Sequence, residues 1–377
     1  MTIFNSLTLL LVFTFIFPIS IFGIRLNDVL IFPILLLTPF IFNKIKIKKN
    51  LNLFLLFLLF LSILFIFCFS IYNGFDNADL NSKENSIYKA LKWLIIDRNI
   101  HDFFAAGDYY RNILIYLRYL LFPFYFILGY LFFLRQIKPF EFLFNCFLLS
   151  GSLHLIICIF DFISVGGRQA GMFNNPAELS IVALLIFVFS FYDGIVKRKY
   201  IGICISISLL AFSFTFSSFF ALFSFLFFNA INFYKVRVFY ILIIICSYLL
   251  SMDISSVVSG ELAKYLYIGS LLNRFNLWGV LNDIFSESPL LYIFSLGSFP
   301  VFTDNIFWYL ISGLGIGGIL FLWYMLYICC RNKNISSLVL IVISQGILFP
   351  GFIMPYFVGL LFFLFGFFYY KDEVCDI

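Results

Sequence analysis

Charge is scarce in this chain: Asp, Glu, Lys and Arg supply 11% of its 377 residues, against roughly 25% in an average soluble domain. Histidine occurs twice, at His101 and His154, and neither has a Cys or His partner at ligand spacing, so no metal site is expected. There is no Gly-rich phosphate loop ending in Gly-Lys-Ser or Gly-Lys-Thr and no Asp-x-Asp pair, which removes ATP and nucleotide-sugar chemistry in a cytoplasmic domain. No charge precedes Arg25 and no small-residue cleavage site follows the first apolar run, so that run reads as a retained span. The eight Cys lie in apolar stretches or at the expected cytoplasmic edges, and they imply no disulfide framework. The formal charge of +5 comes from dispersed basic residues, which excludes a nucleic-acid partner as the first reading.

What is present is lipid-soluble. Apolar residues make up 63% and aromatic residues 22% of the chain, including 58 Phe, a usage that AT-biased coding explains as readily as a specialised aromatic surface. At about 20 residues per crossing, about twelve spans consume most of the chain and leave no room for a large soluble catalytic domain. The expected fold is therefore all-α, a single polytopic transmembrane domain over 1–377 with about twelve helices. Apolar runs fall at about 3–22, 27–42, 51–72, 113–134, 142–163, 177–192, 200–213, 219–234, 238–252, 304–327, 335–349 and 356–370.

With both termini in the cytoplasm, the short basic loops all face inward: Lys44 to Lys49, Arg135 with Lys138, Lys197 to Lys199, Lys235 with Arg237, Arg331 with Lys333, and Lys371. That arrangement needs two short helices between Tyr200 and Tyr234, joined by a turn at Ser213, Thr215, Ser217 and Ser218, whose hydroxyls are expected to satisfy backbone groups where the helices break. Three outward segments are left with enough polar content for chemistry, at about 73–112, 164–176 and 253–303. Any reaction is expected at that outer face.

In the segment GGRQAGMFNNPAELS, Asn175 is a good helix N-cap, Pro176 suits the first helical position and Glu178 stands where a capping-box acid returns to the cap amide. Arg168 follows two glycines at the mouth of the bundle. A guanidinium there suits a diphosphate, which it can grip with paired hydrogen bonds; headgroup anchoring, or pairing with Asp161 one helical turn below, is the alternative. In the outer loop, Leu262, Leu266, Phe275, Trp278, Leu281 and Phe285 are spaced as one face of a helix lying in the membrane interface, with Arg274 either snorkelling or binding ligand. Asp304 either caps the next helix or receives a proton from an attacking hydroxyl. His154, inside a span, is a functional candidate or a neutral residue bonded to a neighbouring helix.

The order of these pieces resembles the bacterial O-antigen polymerase family (Wzy type), within the O-antigen polymerase and ligase superfamily. The resemblance rests on Arg168, Gly171 and Asn175-Pro176 opening a helix, then the Thr215, Ser217, Ser218 break, then Arg274 and Trp278 in a large outer loop. Ser288-Pro289, Gly297 and the polar pair Asp304-Asn305 before a Gly-rich span complete the series. Two departures stand out: Phe219 follows Ser218 where the family often has Arg, and Asp304 stands where ligases place His, which favours polymerase over ligase.

The resemblance implies a GT-C-like helical fold in the bacterial inner membrane. It also implies transfer of a glycan from undecaprenyl diphosphate to another lipid-linked repeat unit at the periplasmic face. Arg168, Arg274 and Asp304 would be catalytic, and Gly171, Asn175, Trp278 and Asn305 would bind substrate. Its partners would be the undecaprenyl-diphosphate-linked oligosaccharide, the bilayer and a chain-length regulator, and no cofactor is called for. An O-antigen ligase, or a non-enzymatic flippase or transporter of lipid-linked oligosaccharide, is the alternative function. A transporter should show paired halves and charges at mid-membrane.

Overall fold

The computed structural model describes residues 2–21, 24–42, 51–72, 108–136, 138–173, 175–191, 198–231, 278, 281–282, 285–297, 305–330 and 333–375. Apart from a hairpin of two-residue strands, every regular element among them is helical. Helix α1 (Thr2–Ile16) stops before Pro18, and the hairpin of β1 (Ser20–Ile21) and β2 (Ile24–Arg25) follows, with Ser20 paired to Arg25. The first span expected to reach residue 22 thus ends early, because Pro18 cannot continue the helical ladder. Next come α2 (Leu26–Phe42), α3 (Leu51–Tyr72), α4 (Asp108–Leu120), α5 (Phe122–Arg135), α6 (Pro139–Ser164), α7 (Pro176–Phe189), α8 (Lys199–Ser213) and α9 (Phe216–Ile231). The chain then shows α10 (Leu291–Phe294), α11 (Ile306–Leu314), α12 (Ile316–Cys329), α13 (Lys333–Gly346), a 3-10 turn (Gly351–Ile353) and α14 (Val358–Cys375).

Among the described residues, two helices are long and apolar enough to cross a membrane, Asn52–Tyr72 and Pro139–Ser164. The second of these, at 26 residues, reaches about 39 Å at 1.5 Å per residue, more than the ~30 Å hydrocarbon core. Helices α4 and α5 make a third apolar length bent by 40°. Pro123 sits in the first turn after the bend, where a proline is tolerated but leaves a carbonyl of the preceding turn without its helical donor. Eight shorter apolar stretches of 10–17 residues accompany them, so among the described residues two helices, or three with the bent pair, have the length and composition of a span.

Two breaks shape the bundle. Between α8 and α9, Phe214 adopts a left-handed conformation (φ 41°) beside Thr215, so the stretch 200–231 does divide into two short helices. The expected single span over 304–327 is instead split into α11 and α12 at Gly315 (φ 51°). A Cβ on Gly315 would run into the Ile293 carbonyl, and one on Gly318 into the Leu310 carbonyl, so only glycine permits this fold-back. Tyr116 on α4 donates its hydroxyl to the Gly313 carbonyl at 2.6 Å, satisfying an acceptor that the break exposes.

The core gathers around α7, which is apolar all round: every residue from Leu179 to Phe189 is buried. Helices α5 and α14 approach most closely, with Gly129 against the Phe363 carbonyl and Gly366 against the Phe126 carbonyl. Phe133, Phe140 and Phe367 interlock edge to face beside them.

Helices α1 and α6 run parallel. Cys146 meets the Leu9 carbonyl, and further along Ser150 and His154 both meet that of Ile16. The bundle therefore has two distinguishable ends. At the starting end of α1, the Arg135 guanidinium lies 5.9 Å over the Phe4 ring, and Lys138 pairs with Glu141 at the start of α6. The candidate site lies at the other end.

Candidate functional site

The segment between α6 and α7 is built by its glycines and its cap. Gly166, Gly167 and Gly171 all have positive φ (73°, 77° and 59°). Gln169 Nε2 donates to the carbonyls of Gly166 and Gly167, and Gln169 N–H donates to the Phe212 carbonyl at 2.9 Å, fastening the segment to the end of α8. Arg168 is exposed and donates Nε to the Ser213 carbonyl at 3.1 Å. It makes no pair with Asp161, and its two terminal nitrogens have no partner among the described residues. That leaves the forked end of a guanidinium presented outward on an anchored stem.

Gly171 packs directly on His154: a Cβ there would stand 2.5 Å from Nδ1. His154 accepts from Met172 N–H through Nδ1 (3.3 Å), and its Nε2 meets the Ile16 carbonyl (2.8 Å). A carbonyl only accepts and an amide N–H only donates, so the ring is the neutral Nε2–H tautomer, used to join α1, α6 and the segment. Phe173 stacks on the same imidazole at 5.0 Å and touches Phe357 at 5.7 Å.

Asn175 caps α7, accepting from Ala177 N–H at 2.9 Å, with Pro176 in the first turn. The expected capping box is not formed. Glu178 makes no hydrogen bond back to the cap amide; its carboxylate instead acts on Arg25.

Around Arg25 stands a cluster that sequence reasoning missed. Arg118 holds Asp28 through Nε–Oδ1 (3.2 Å) and Nη2–Oδ2 (2.6 Å). The Arg25 guanidinium carbon lies 3.4 Å from the centroid of the Tyr356 ring, and that of Arg118 lies 5.0 Å from it. Burial pushes Arg25 below its ordinary range, with Tyr356 and Glu178 acting in the opposite direction. The Arg118 and Asp28 charges are spent on each other. Arg25 and Glu178 make no hydrogen bond or ion pair to each other or to any other described residue. A signal existed in the sequence, since Asp28 and Arg118 are ionisable residues inside otherwise apolar runs.

Ser180 on α7, Thr215, Ser218 and Gln345 form a buried network. Thr215 Oγ1 donates to Ser218 Oγ (2.7 Å), Ser218 bonds Ser180, and Gln345 Nε2 reaches Ser180 (3.2 Å) and Ser218 (3.3 Å). Of the hydroxyls expected to satisfy backbone at the α8–α9 break, that of Ser213 does, donating to the Leu210 carbonyl at 3.1 Å, whereas Thr215 and Ser218 point into the bundle and, with Ser180 and Gln345, tie α7, α9 and α13 together. Gln345 Oε1 is buried without a partner among the described residues.

Asn305 caps α11, its Oδ1 accepting from Phe307 N–H (2.9 Å) and Trp308 N–H (3.3 Å). Its Nδ2 is buried without a partner among the described residues. Ile306 packs against Gly346, next to Gln345, which links this cap to the serine network. Trp278, expected at the membrane interface, is fully buried with Leu281, Phe285, Leu291, Trp308 and Ile311. The apolar face read at Trp278, Leu281 and Phe285 is real, but it packs on α11 and not on lipid.

The structure thus places Arg168, Gly171 and Asn175 on one anchored segment, and Trp278 and Asn305 around α11. Arg274, Asp304 and His101 lie outside the described residues. Among the described residues no three His, Cys, Asp or Glu side chains gather as a metal site. Compared with family models, curated proteins and solved structures, the chain matches none of them.

Proposed function

We propose that the chain is a surface-polysaccharide (O-antigen) polymerase of the bacterial inner membrane. It transfers a glycan from undecaprenyl diphosphate to another lipid-linked repeat unit at the periplasmic face. In the reaction, the bond from the anomeric carbon to the diphosphate oxygen breaks and its electron pair leaves with the diphosphate. The acceptor hydroxyl oxygen forms the new glycosidic bond, and its proton passes to a carboxylate, assigned to Asp304. The donor is already activated, so ATP is not required. Arg168 and Arg274 stabilise the negative charge that grows on the departing diphosphate. Gly171, Asn175, Trp278 and Asn305 shape the surroundings.

The observation that carries this reading is Arg168: an exposed guanidinium whose terminal nitrogens have no partner among the described residues, on a segment fastened to the end of α8. The motif order from Arg168 to Asp304-Asn305 supports it independently. The test is a lipopolysaccharide gel of a deletion strain, with and without the wild-type gene. The expected outcome is a single repeat unit on the surface lipid without the gene, because ligation persists when polymerisation stops, and a full ladder with it. Loss of even the single unit points to a ligase or a flippase.

A further inference from the structure

Arg25 stands at the bundle end that carries the segment 165–173: it lies on Tyr356, and the next residue, Phe357, touches Phe173 at 5.7 Å. Its guanidinium carbon is 3.4 Å from the Tyr356 centroid, a distance at which the two planes stack and the in-plane N–H donors stay clear of the ring. The Arg118 guanidinium lies 5.0 Å from the same centroid. Two cations therefore share one ring, and Asp28 has both oxygens closed on Arg118. The Arg25 side chain makes no hydrogen bond or ion pair with any described residue, Glu178 included. Leaving the donors of a half-buried guanidinium without an acceptor is costly, so the place calls for an anion.

The kind of anion follows from the helix that begins at the next residue. Val29, Phe32 and Leu36 follow Arg25 at steps of four, three and four residues, the spacing of one face of α2. All three are exposed, at 49%, 65% and 73%, whereas Ile31 and Ile34, off that face, are buried. From Val29 to Leu36 the stripe runs about 10 Å away from the guanidinium, at 1.5 Å per residue.

We infer that Arg25 and the exposed face of Val29, Phe32 and Leu36 seat one acidic phospholipid, with its phosphate on Arg25 and an acyl chain along the stripe. The unmatched charge selects the headgroup. Phosphatidylglycerol brings an oxyanion and no other charge, whereas phosphatidylcholine brings its own cation beside two guanidiniums. The bound lipid supplies the counter-charge that the described residues leave out, and so steadies the junction of the hairpin, α2 and Tyr356. This seat is independent of the proposed function, and its test leaves the polymerase reading untouched.

The experiment titrates lipid into the full-length, delipidated protein in detergent, counting retained lipids by native mass spectrometry and following thermal unfolding. The probes are phosphatidylglycerol, phosphatidylcholine with the same acyl chains, and glycerol 1-phosphate, which carries the phosphate without chains. Wild type is expected to retain one phosphatidylglycerol about 5- to 10-fold more tightly than phosphatidylcholine, the range from one charge near a membrane surface to one charged hydrogen bond. It should melt higher with that lipid and unchanged with glycerol 1-phosphate. Arg25→Gln should erase the preference, while Arg135→Gln, at the opposite end of the bundle, should keep it. Phe32→Ser alters an exposed side chain and covers the case in which Arg25→Gln fails to fold; it too should weaken retention of phosphatidylglycerol. Equal retention of both phospholipids by wild type overturns the seat. So does a preference that survives in Arg25→Gln, one that Arg135→Gln removes as fully, or retention unchanged in Phe32→Ser. Stabilisation by glycerol 1-phosphate equal to that by phosphatidylglycerol identifies a site for a soluble anion and overturns the lipid seat as well.

Discussion

Arg118 and Asp28 face each other as a two-pronged pair, Nε to Oδ1 at 3.2 Å and Nη2 to Oδ2 at 2.6 Å, joining the first turn of α2 to the last turn of α4. The pair occupies both oxygens of Asp28, and Arg25 lies instead on the Tyr356 ring. It also locks two helices that are far apart in sequence.

Asp28→Asn should therefore lower stability, because it leaves a largely buried guanidinium without its counter-charge. The side chains are 18% and 31% exposed, so water screens part of the effect and the expected loss is about 1–3 kcal/mol. Thermal unfolding in detergent measures it. The double variant with Arg118→Gln should lose less than the two single variants summed, because no charge is then left unpaired.

His154 joins three pieces of chain, and its removal should loosen the segment that carries Arg168. His154→Leu deprives Met172 N–H of its acceptor and the Ile16 carbonyl of one of two donors, an expected loss of about 1–3 kcal/mol. Gly171→Ala should have a comparable effect through its positive φ and its contact with the imidazole. Both should speed proteolysis within 165–175 before any global unfolding; cleavage at the wild-type rate would show that the histidine does not hold the segment.

Helices α5 and α14 touch backbone to backbone through Gly129 and Gly366. Replacing either with Leu forces the helices apart, since the obstacle is a carbonyl and not a flexible side chain, and should cost about 3 kcal/mol or more. The readout is a fall in the yield of monodisperse protein after extraction. Unchanged yield and melting would show that the crossing is looser than the geometry indicates.

The all-helical architecture was legible because apolar runs and polar punctuation report directly on which segments avoid water. The break after Ser213 was legible for the same reason, since a 35-residue apolar run is longer than one crossing needs. The split at Gly315 was not, because a Gly-rich helix and a Gly-enabled fold-back share one composition. Trp278 read as an interface aromatic because an amphipathic face looks alike whether protein or lipid covers it. Within the site, the Asn175 cap followed from local spacing. The Arg25, Asp28, Arg118 and Tyr356 cluster depends on contacts between residues up to more than 300 positions apart, which no local pattern encodes.

Arg168→Ala and Arg274→Ala should each abolish long surface chains while the protein still inserts normally. Losing one such cation is expected to remove about 2–4 kcal/mol of transition-state stabilisation, by analogy with an oxyanion-hole donor, or roughly 30- to 1000-fold in rate. Chain-length distributions on a gel and membrane levels on a blot check the two halves of that statement. Wild-type lengths in both variants would remove the site assignment.

The most direct measurement is made on purified protein in liposomes supplied only with undecaprenyl-diphosphate-linked repeat units, without ATP or nucleotide sugar. The account predicts a ladder of lipid-linked products differing by one repeat unit, with one undecaprenyl diphosphate released for each bond formed. Intact substrate and no released diphosphate, from protein that is folded and inserted, would contradict it.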